Sequence, residues 1–172
     1  MSYPIFISES PQTNNPLAKL VSPADGAGVI MLTVKGTPRP QPRPRFVRGR
    51  VISIADPNAK RWAANVEAVA RQAVREHGKQ SGPLSVCMGF DMPTKDAKRW
   101  GLPHTLRPDA DNLAKLVLDC LMRAGLFDDD AAVSCLVARK TWEGVSLAGV
   151  SVTLAPDRRV PLVGGRAPGW LA

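Results

Sequence analysis

Acidic side chains crowd one stretch of an otherwise basic chain. Residues 107–133, RPDADNLAKLVLDCLMRAGLFDDDAAV, hold six of the fifteen Asp and Glu residues, although the net charge is +8. Those six are Asp109, Asp111, Asp119, Asp128, Asp129 and Asp130. Crowded carboxylates repel one another unless something positive is bound among them, and a hard divalent cation is the usual partner. The stretch therefore indicates a candidate metal site.

Helical spacing separates the core residues of this stretch from those free to do chemistry. One apolar stripe faces the core and consists of Leu113, Leu116, Val117, Cys120, Leu121 and Ala124. Asp111, Lys115 and Asp119 lie four residues apart, so they share another face. Asp109 stands at or near the N-cap. Spacing alone does not determine whether the later acids, 128–130, return to this face.

The residue types on that face suit phosphodiester hydrolysis. Carboxylates hold Mg²⁺ while leaving positions for water and a phosphate oxygen, and the ion makes bound water nucleophilic near neutral pH. Lys115 could neutralise the phosphate in the transition state or hold the attacking water. A structural interpretation remains open at this point. Asp109 could be a helix cap, and Asp111, Lys115 and Asp119 an exposed ladder of ion pairs.

The elements that must position these residues alternate between strands and helices. Apolar runs and caps predict a strand over 28–36, a helix over 57–77 closed by Gly78, a strand over 84–92, a helix over 110–124 capped by Gly125, and strands over 133–142 and 145–154. Glu143-Gly144 predicts a hairpin turn between the last two strands. The order β-α-β-α-β-β predicts an α+β or mixed α/β domain, with two helices packed on a short mixed sheet.

Composition sets the limits of this domain. Residues 1–27 and 156–172 are rich in Pro, Gly and polar residues, which predicts a flexible arm and a disordered tail around a domain at 28–155. No apolar run approaches the ~18 to 20 residues of a membrane span, and no signal peptide is visible. Three cysteines without zinc spacing favour reduced core thiols and a cytoplasmic protein.

Basic residues concentrate in two loops that flank the acidic stretch. The segment 37–50, TPRPQPRPRFVRGR, is expected to lack regular structure because of its four prolines, and 94–108 is expected to be a second basic loop. We expect both to contact DNA phosphates through Arg43, Arg45, Arg48, Arg50, Lys95, Lys98, Arg99 and Arg107. Trp100 is the best candidate for stacking on a base, although tryptophans more often anchor a core or an interface.

The acidic stretch resembles the pattern of the RusA family of Holliday-junction resolvases. That pattern is D-x-D-N-L-x-K, an apolar helix with an internal Asp, a Gly-led turn, D-D, two residues and Val. Matching residues stand in order at Asp109, Asp111, Asn112, Leu113, Lys115, Asp119, Gly125, Asp129, Asp130 and Val133. The PRPRF stretch at 42–46 and the following Arg61 and Trp62 also look like phage members. The resemblance covers about residues 28–154 and is strongest over 107–133.

The resemblance implies a catalytic site and a partner. Asp109, Asp111 and Asp130 would be the metal-binding acids and Lys115 the essential lysine, although the extra Asp128 leaves Asp129 as an alternative. Ala132 and Pro108 depart from the family pattern, with Arg107 as the nearest basic residue. The implied protein is a homodimer that nicks four-way DNA junctions symmetrically with Mg²⁺ or Mn²⁺. A non-catalytic protein that binds branched DNA and a nucleotide phosphohydrolase are the other functions considered.

Overall fold

The computed structural model describes residues 28–42, 45–47, 50–52 and 56–157, with backbone alone for 45–47 and 50–52. The predicted arm at 1–27 and all but the first two residues of the predicted tail lie outside this range, so their flexibility stays a prediction. Among the described residues, no helix is both long enough and apolar enough to cross a membrane.

Within the described ranges the chain forms six strands and two helices, and they confirm the predicted mixed class. In chain order they are β1 (Ile30–Lys35), β2 (Arg45–Val47), β3 (Arg50–Ile52), α1 (Pro57–His77), β4 (Leu84–Thr94), α2 (Ala110–Arg123), β5 (Val133–Gly144) and β6 (Gly149–Pro156). Short 3-10 helices span Ala97–Arg99 and Asp130–Ala132.

Local signals fix the first helix at its predicted bounds. The Asp56 carboxylate accepts a hydrogen bond of 2.9 Å from the Asn58 backbone N–H, and Pro57 occupies the first helical position. Gly78 ends the helix with a φ of 73°, a conformation that glycine adopts at little cost. Trp62 and Val66 are among the side chains that α1 buries against the sheet and α2.

The second helix buries more of its surface than the predicted stripe. Ala114 and Leu118 are buried along with that stripe, while Ala124 at the C-terminal end is only partly buried. Gly125 follows with a φ of 84° and reverses the chain, as expected. A helix with such a wide apolar face packs against both α1 and the sheet, so only a narrow polar face remains for chemistry.

Four strands form the main sheet in the order β1-β6-β4-β5. β5 runs parallel to β4, and β6 pairs antiparallel with both β4 and β1. α2 connects the two parallel strands, as a parallel crossover requires. Both helices pack on the sheet face that carries Val86, Met88 and Phe90, and this layer is the hydrophobic core.

The predicted hairpin between the last two strands is wrong. β4 lies between β5 and β6, and the turn at 145–148 carries the chain across the end of β4. Within that turn the Leu147 N–H donates to the Gly144 carbonyl at 2.8 Å. The crossover through α2 places β5 along one side of β4. β6 then lies between β4 and β1, where it pairs with the backbone N–H and C=O groups of both strands.

The predicted absence of regular structure over 37–50 is also wrong in part. β2 and β3 form a small antiparallel ladder, with Val47 opposite Arg50. Every proline of the segment precedes Arg45. The ladder therefore begins at the first residues that all have a backbone N–H to donate.

The second basic loop, 94–108, folds back onto the edge strand β5. The Trp142 N–H donates to the Leu102 carbonyl at 2.9 Å, and the Gly101 N–H donates to the Trp142 carbonyl at 2.9 Å. The His104 N–H donates to the Lys140 carbonyl at 3.0 Å. The loop therefore covers part of an exposed sheet edge and reaches the start of α2 along a fixed path.

We expect Gly149→Ala to destabilise the fold. A methyl group there would lie 2.4 Å from the Val34 carbonyl oxygen, a clash that the sheet relieves only by moving β1. Such overpacking typically costs about 1–3 kcal/mol in the free energy of unfolding. Gly89→Ala on β4 is the matched control, because no atom beyond its chain neighbours lies within 4 Å of the new methyl. Equal urea midpoints for the two variants would contradict this packing.

Candidate active site

Asp109 stands immediately before α2 without capping it. The structure gives its carboxylate no cap hydrogen bond, although its backbone is extended as an N-cap requires. Asp56, Asp96 and Asp129 each cap a helix by accepting from a backbone N–H at 2.9, 3.1 and 2.8 Å. The capping interpretation of the Asp109 side chain is therefore not realised, and its exposed carboxylate faces solvent beside the helix.

The three consecutive aspartates after α2 have three different roles. Asp128 pairs with Lys79 at 2.5 Å and is exposed at the surface. Asp129 caps the 3-10 helix through the Ala131 N–H. Asp130 points toward Lys115, with its Oδ2 atom 3.9 Å from the lysine Nζ. Of the three, Asp130 is the one whose side chain meets the polar face of α2.

Lys115 joins two separate acidic segments. Its Nζ atom lies 3.5 Å from Asp119 Oδ1, one helical turn away, and 3.9 Å from Asp130 Oδ2, which comes from the turn after α2. The Lys115–Asp119 pair is the ion-pair ladder considered above, and at the surface such a pair contributes about 0.2–1 kcal/mol. The contact with Asp130 is long-range and is not part of a helix ladder. Asp111, one turn before Lys115, is exposed on the same helix and makes its own polar contact.

The donor atoms on this surface suit a hard cation, because Asp109, Asp111 and Asp130 offer only carboxylate oxygens. In the part of the chain that the structure describes, however, no three metal-ligating side chains lie close enough to hold an ion. Donor chemistry and sequence pattern thus agree with a metal, while the coordination geometry is not assembled.

Lys140 on β5 anchors the chain just before Asp109. Its Nζ atom donates to the Leu106 carbonyl at 2.8 Å and to the Pro108 carbonyl at 2.6 Å. The Pro108 carbonyl belongs to the peptide unit that enters Asp109. Lys140, which the sequence patterns did not single out, therefore helps to set the position of the first acid.

Asn112 ties the proline-rich segment to the first turn of α2. Its carbonyl accepts from the Gln41 N–H at 3.1 Å, and its side-chain amide donates to the Gln41 carbonyl at 3.3 Å. This pair of hydrogen bonds fixes residues 39–42 beside the acids.

An open cleft of about 610 Å³ lies at this junction. Its walls come from residues 39–42, from the start of α1 and from the start of α2. Arg39 and Arg107 are its cationic residues, and Asp56 and Asp109 are its acids. Arg39 belongs to the Pro-Arg segment that the sequence predicts to contact DNA phosphates, and the structure places it in this cleft.

Lys95, Lys98 and Arg99, three further basic residues predicted to contact DNA, do not line the cleft. Lys95 and Lys98 are exposed in the loop, and Arg99 pairs with Asp96 at 3.3 Å and lies over the Trp142 ring at 5.5 Å. Arg43 and Arg48 fall outside the described residues, and the side chains of Arg45 and Arg50 are likewise outside them. Contact of all these residues with DNA stays a prediction.

His104, Trp142 and the buried thiols have packing roles, whereas base stacking by Trp100 stays a prediction. His104 is buried against Trp142, with ring centroids 4.1 Å apart, and burial followed by the nearby Lys140 charge lowers its pKa. It therefore packs as a neutral ring at pH 7. Trp100 is half exposed beside Gly144. Burial raises the pKa of Cys120 to about 11, so this thiol is inert. Cys87 is buried as expected, whereas Cys135 is only partly buried.

Comparison with known proteins matches a family model over most of the domain and a curated relative over part of it. The family model described as endodeoxyribonuclease RusA matches residues 35–155. The crossover junction endodeoxyribonuclease rusA of Lactococcus phage r1t is 29% identical over 79 residues, or 46% of this chain. The match spans 60% of that relative's length.

Among solved structures, the dihydroxyacetone kinase operon co-activator Dha-DhaQ is similar to the chain with a TM-score of 0.39 and 14% identity. The match covers 83% of this chain and 43% of that one, and similarity at this level carries no argument. The family match rests instead on well over half of the chain, including every element that builds the acidic site. The chain belongs to the family of the endodeoxyribonuclease RusA.

Proposed function

We propose that this protein is a metal-dependent endonuclease that resolves branched DNA, four-way junctions foremost, by paired symmetric nicks. The observation that carries the proposal is the meeting of Asp130 with Lys115 on the helix that begins with Asp109 and Asp111. Lys115 lies on α2 and Asp130 in the turn that follows it, so helical spacing alone does not bring the two groups together. The family membership and the phage relative's name support the same activity.

In this proposal, Asp109, Asp111 and Asp130 hold Mg²⁺ or Mn²⁺, which supplies a polarised phosphate and a nucleophilic water. Lys115 is exposed enough to reach a bound phosphate, and its ammonium stabilises the charge that develops on the phosphate oxygens. Asp119 pairs with Lys115 from the same helix and so helps to position the lysine side chain. Lys140 and Asn112 keep the start of α2 in place and have no contact with DNA in this account.

A second candidate function is a branched-DNA-binding protein without catalysis. The observation in its favour is that the described residues contain no ready cluster of three metal ligands. In that case the acids would serve only as ion-pair partners of Lys115. The two functions differ in what happens to DNA when a carboxylate is neutralised.

We expect Asp111→Asn to abolish cleavage of a labelled four-way junction in Mg²⁺ while preserving or tightening junction binding. The substitution removes a ligand oxygen's charge, and it also removes repulsion of the phosphate. Asp128→Asn is the matched control, because this neighbouring acid is exposed and pairs with Lys79 at the surface. Cleavage assays with an EDTA control and binding by fluorescence anisotropy give both quantities.

Absence of cleavage by the wild-type protein on junction, flap and duplex in Mg²⁺ and in Mn²⁺ would contradict the nuclease. It would favour the non-catalytic function. If Asp111→Asn retained metal-dependent cleavage, the protein would still be a nuclease, but the assignment of Asp111 to its metal site would be wrong.

Lys115→Ala should lower junction cleavage at least a hundredfold, since loss of one charge-stabilising group typically costs about 10² to 10³ in kcat. The thermal midpoint should move by only a few degrees, because the exposed ion pairs of Lys115 stabilise the fold weakly. Lys79→Ala removes a comparable surface ion pair and should leave the rate unchanged. If Lys115→Ala cleaved the junction at the wild-type rate, Lys115 would have only the structural role of a surface ion-pair partner.

We also propose a homodimer, because two equivalent active sites match the two equivalent strands that symmetric nicking requires. Sedimentation of the protein with a bound junction should give the mass of two chains. A single 18.5 kDa chain on each junction would refute paired nicking by one assembly.

A further inference from the structure

One buried side chain anchors the loop between β4 and α2. His104 is 7% exposed, and among residues 93–112, all of which the structure describes, no other residue is buried. Residues 105–107, which follow it, are exposed. A segment with so few buried contacts owes its order to the ones it has. His104 stands five residues before Asp109, so it is the last buried anchor before the acidic site.

His104 packs on Trp142 of the edge strand β5. The two ring centroids are 4.1 Å apart, and the ring planes are tilted by 50°. The backbone of Trp142 is itself paired with the loop, because its N–H donates to the Leu102 carbonyl and its carbonyl accepts from the Gly101 N–H. The guanidinium of Arg99 lies over the Trp142 ring. The ring contact therefore joins the loop to a fixed part of the sheet.

Lys140 connects this anchor to the acidic site. Its carbonyl accepts from the His104 N–H at 3.0 Å, and its Nζ atom donates to the Leu106 and Pro108 carbonyls. A single residue of β5 thus holds the end of the loop at three points. Without His104 against the strand, no buried side chain would keep the two carbonyls within reach of the ammonium. The Pro108 carbonyl belongs to the peptide unit that leads into the first acid, so the position of that acid depends on this arrangement.

The surroundings of the His104 ring favour its uncharged form. Burial and then the Lys140 ammonium lower its pKa, while backbone groups of Leu106 and of His104 itself raise it in part. The second cation is Arg99, which lies over the Trp142 ring, and no carboxylate is among the described groups that shift this pKa. The Nδ1 atom is buried without a hydrogen-bond partner among the described residues. A proton on the ring would therefore place a second positive charge beside Lys140 with no anion to balance it.

We infer that His104 is a positioning residue for the acidic site, which acts through Lys140 on the segment that carries Asp109 into α2. His104 contacts neither DNA nor metal in this account. When its ring gains a proton, the segment 104–108 loosens and Asp109 is no longer held at the start of the helix. This inference rests on the proposed function for the chemistry at Asp109, and it makes the acidic site sensitive to pH through a residue outside that site.

Hydrogen exchange of the peptides that cover residues 104–112 tests the anchor without any cleavage. His104→Ala should speed exchange there by about tenfold or more, because the segment loses its one buried side chain. His104→Phe keeps a ring against Trp142 and should keep the exchange close to that of the wild type. Val66→Ala is the matched control, because it truncates a buried side chain of α1 far from the loop. It should speed exchange in the core strands and leave residues 104–112 unchanged.

Junction cleavage gives a second readout. His104→Ala should cut at least about tenfold more slowly at neutral pH, since misplacement of a reacting group by about 1 Å can cost about 10²-fold in rate. Its binding of the junction in EDTA should equal that of the wild type, because no contact with DNA is lost. His104→Phe should restore most of the rate, since the ring contact with Trp142 is kept.

The pH profile separates the charge of the ring from its packing. The rate of His104→Phe divided by the wild-type rate should be constant above pH 6.5, the ordinary pKa of histidine, and should rise as the pH falls below it. Only the wild-type ring gains a proton, and its lowered pKa places that gain below 6.5. Protonation of the acids slows both proteins and cancels in the ratio. His77→Ala removes the other histidine of the chain, which is exposed, and should give a constant ratio throughout.

Two results would overturn the inference: exchange over residues 104–112 that His104→Ala leaves unchanged, or a ratio for His104→Phe that stays constant below pH 6.5. If His104→Ala does not fold, the ratio measured with His104→Phe still decides. A wild-type protein that never cuts would refute the nuclease, and the exchange data would then decide on the anchor alone. Normal cutting by His104→Ala would refute the positioning role and leave the nuclease intact.

Discussion

The hydrogen bonds from Lys140 determine where α2 begins. A single ammonium group holds two carbonyls of the loop that enters the helix, and the second of these belongs to the peptide unit before Asp109. Lys140 itself lies on β5, which pairs in one register with β4 from Cys135 to Gly144. The sheet, the basic loop and the helix are therefore joined at one point, and the acids and the cleft take their positions from it.

The electrostatic balance of the domain explains why so many acids tolerate one another here. Lys115 lies between Asp119 and Asp130, Lys79 pairs with Asp128, and the Ala131 N–H donates a hydrogen bond to the Asp129 carboxylate. Asp109 has neither a cap bond nor an ion pair among the described residues. The charge of Asp109 is therefore available to an external cation, which fits a site that is completed when metal and DNA bind.

Local signals predicted the helices better than the sheet. Asp56, Pro57 and Gly78 delimit α1 through contacts within a few residues, and the stripe of α2 follows from its period. Neighbours in the sheet depend on which strand fills an open edge, so the alternation of residues 133–154 could not reveal that β4 separates β5 from β6. The same limit applies to the site: spacing aligned Lys115 with Asp119, whereas the approach of Asp130 and of Arg39 depends on loop paths that only the fold defines.

The central claim is that Asp109, Asp111 and Asp130 form one metal site, although their side chains are not close enough together in the structure to hold an ion. Titration of Mn²⁺ by electron paramagnetic resonance, with junction DNA bound to protein, tests it most directly. The account predicts that Asp109→Asn and Asp130→Asn each lose the DNA-dependent bound Mn²⁺ seen in the wild type, while Asp129→Asn keeps it. Undiminished Mn²⁺ binding in Asp130→Asn, or no bound Mn²⁺ in the wild type, would contradict it.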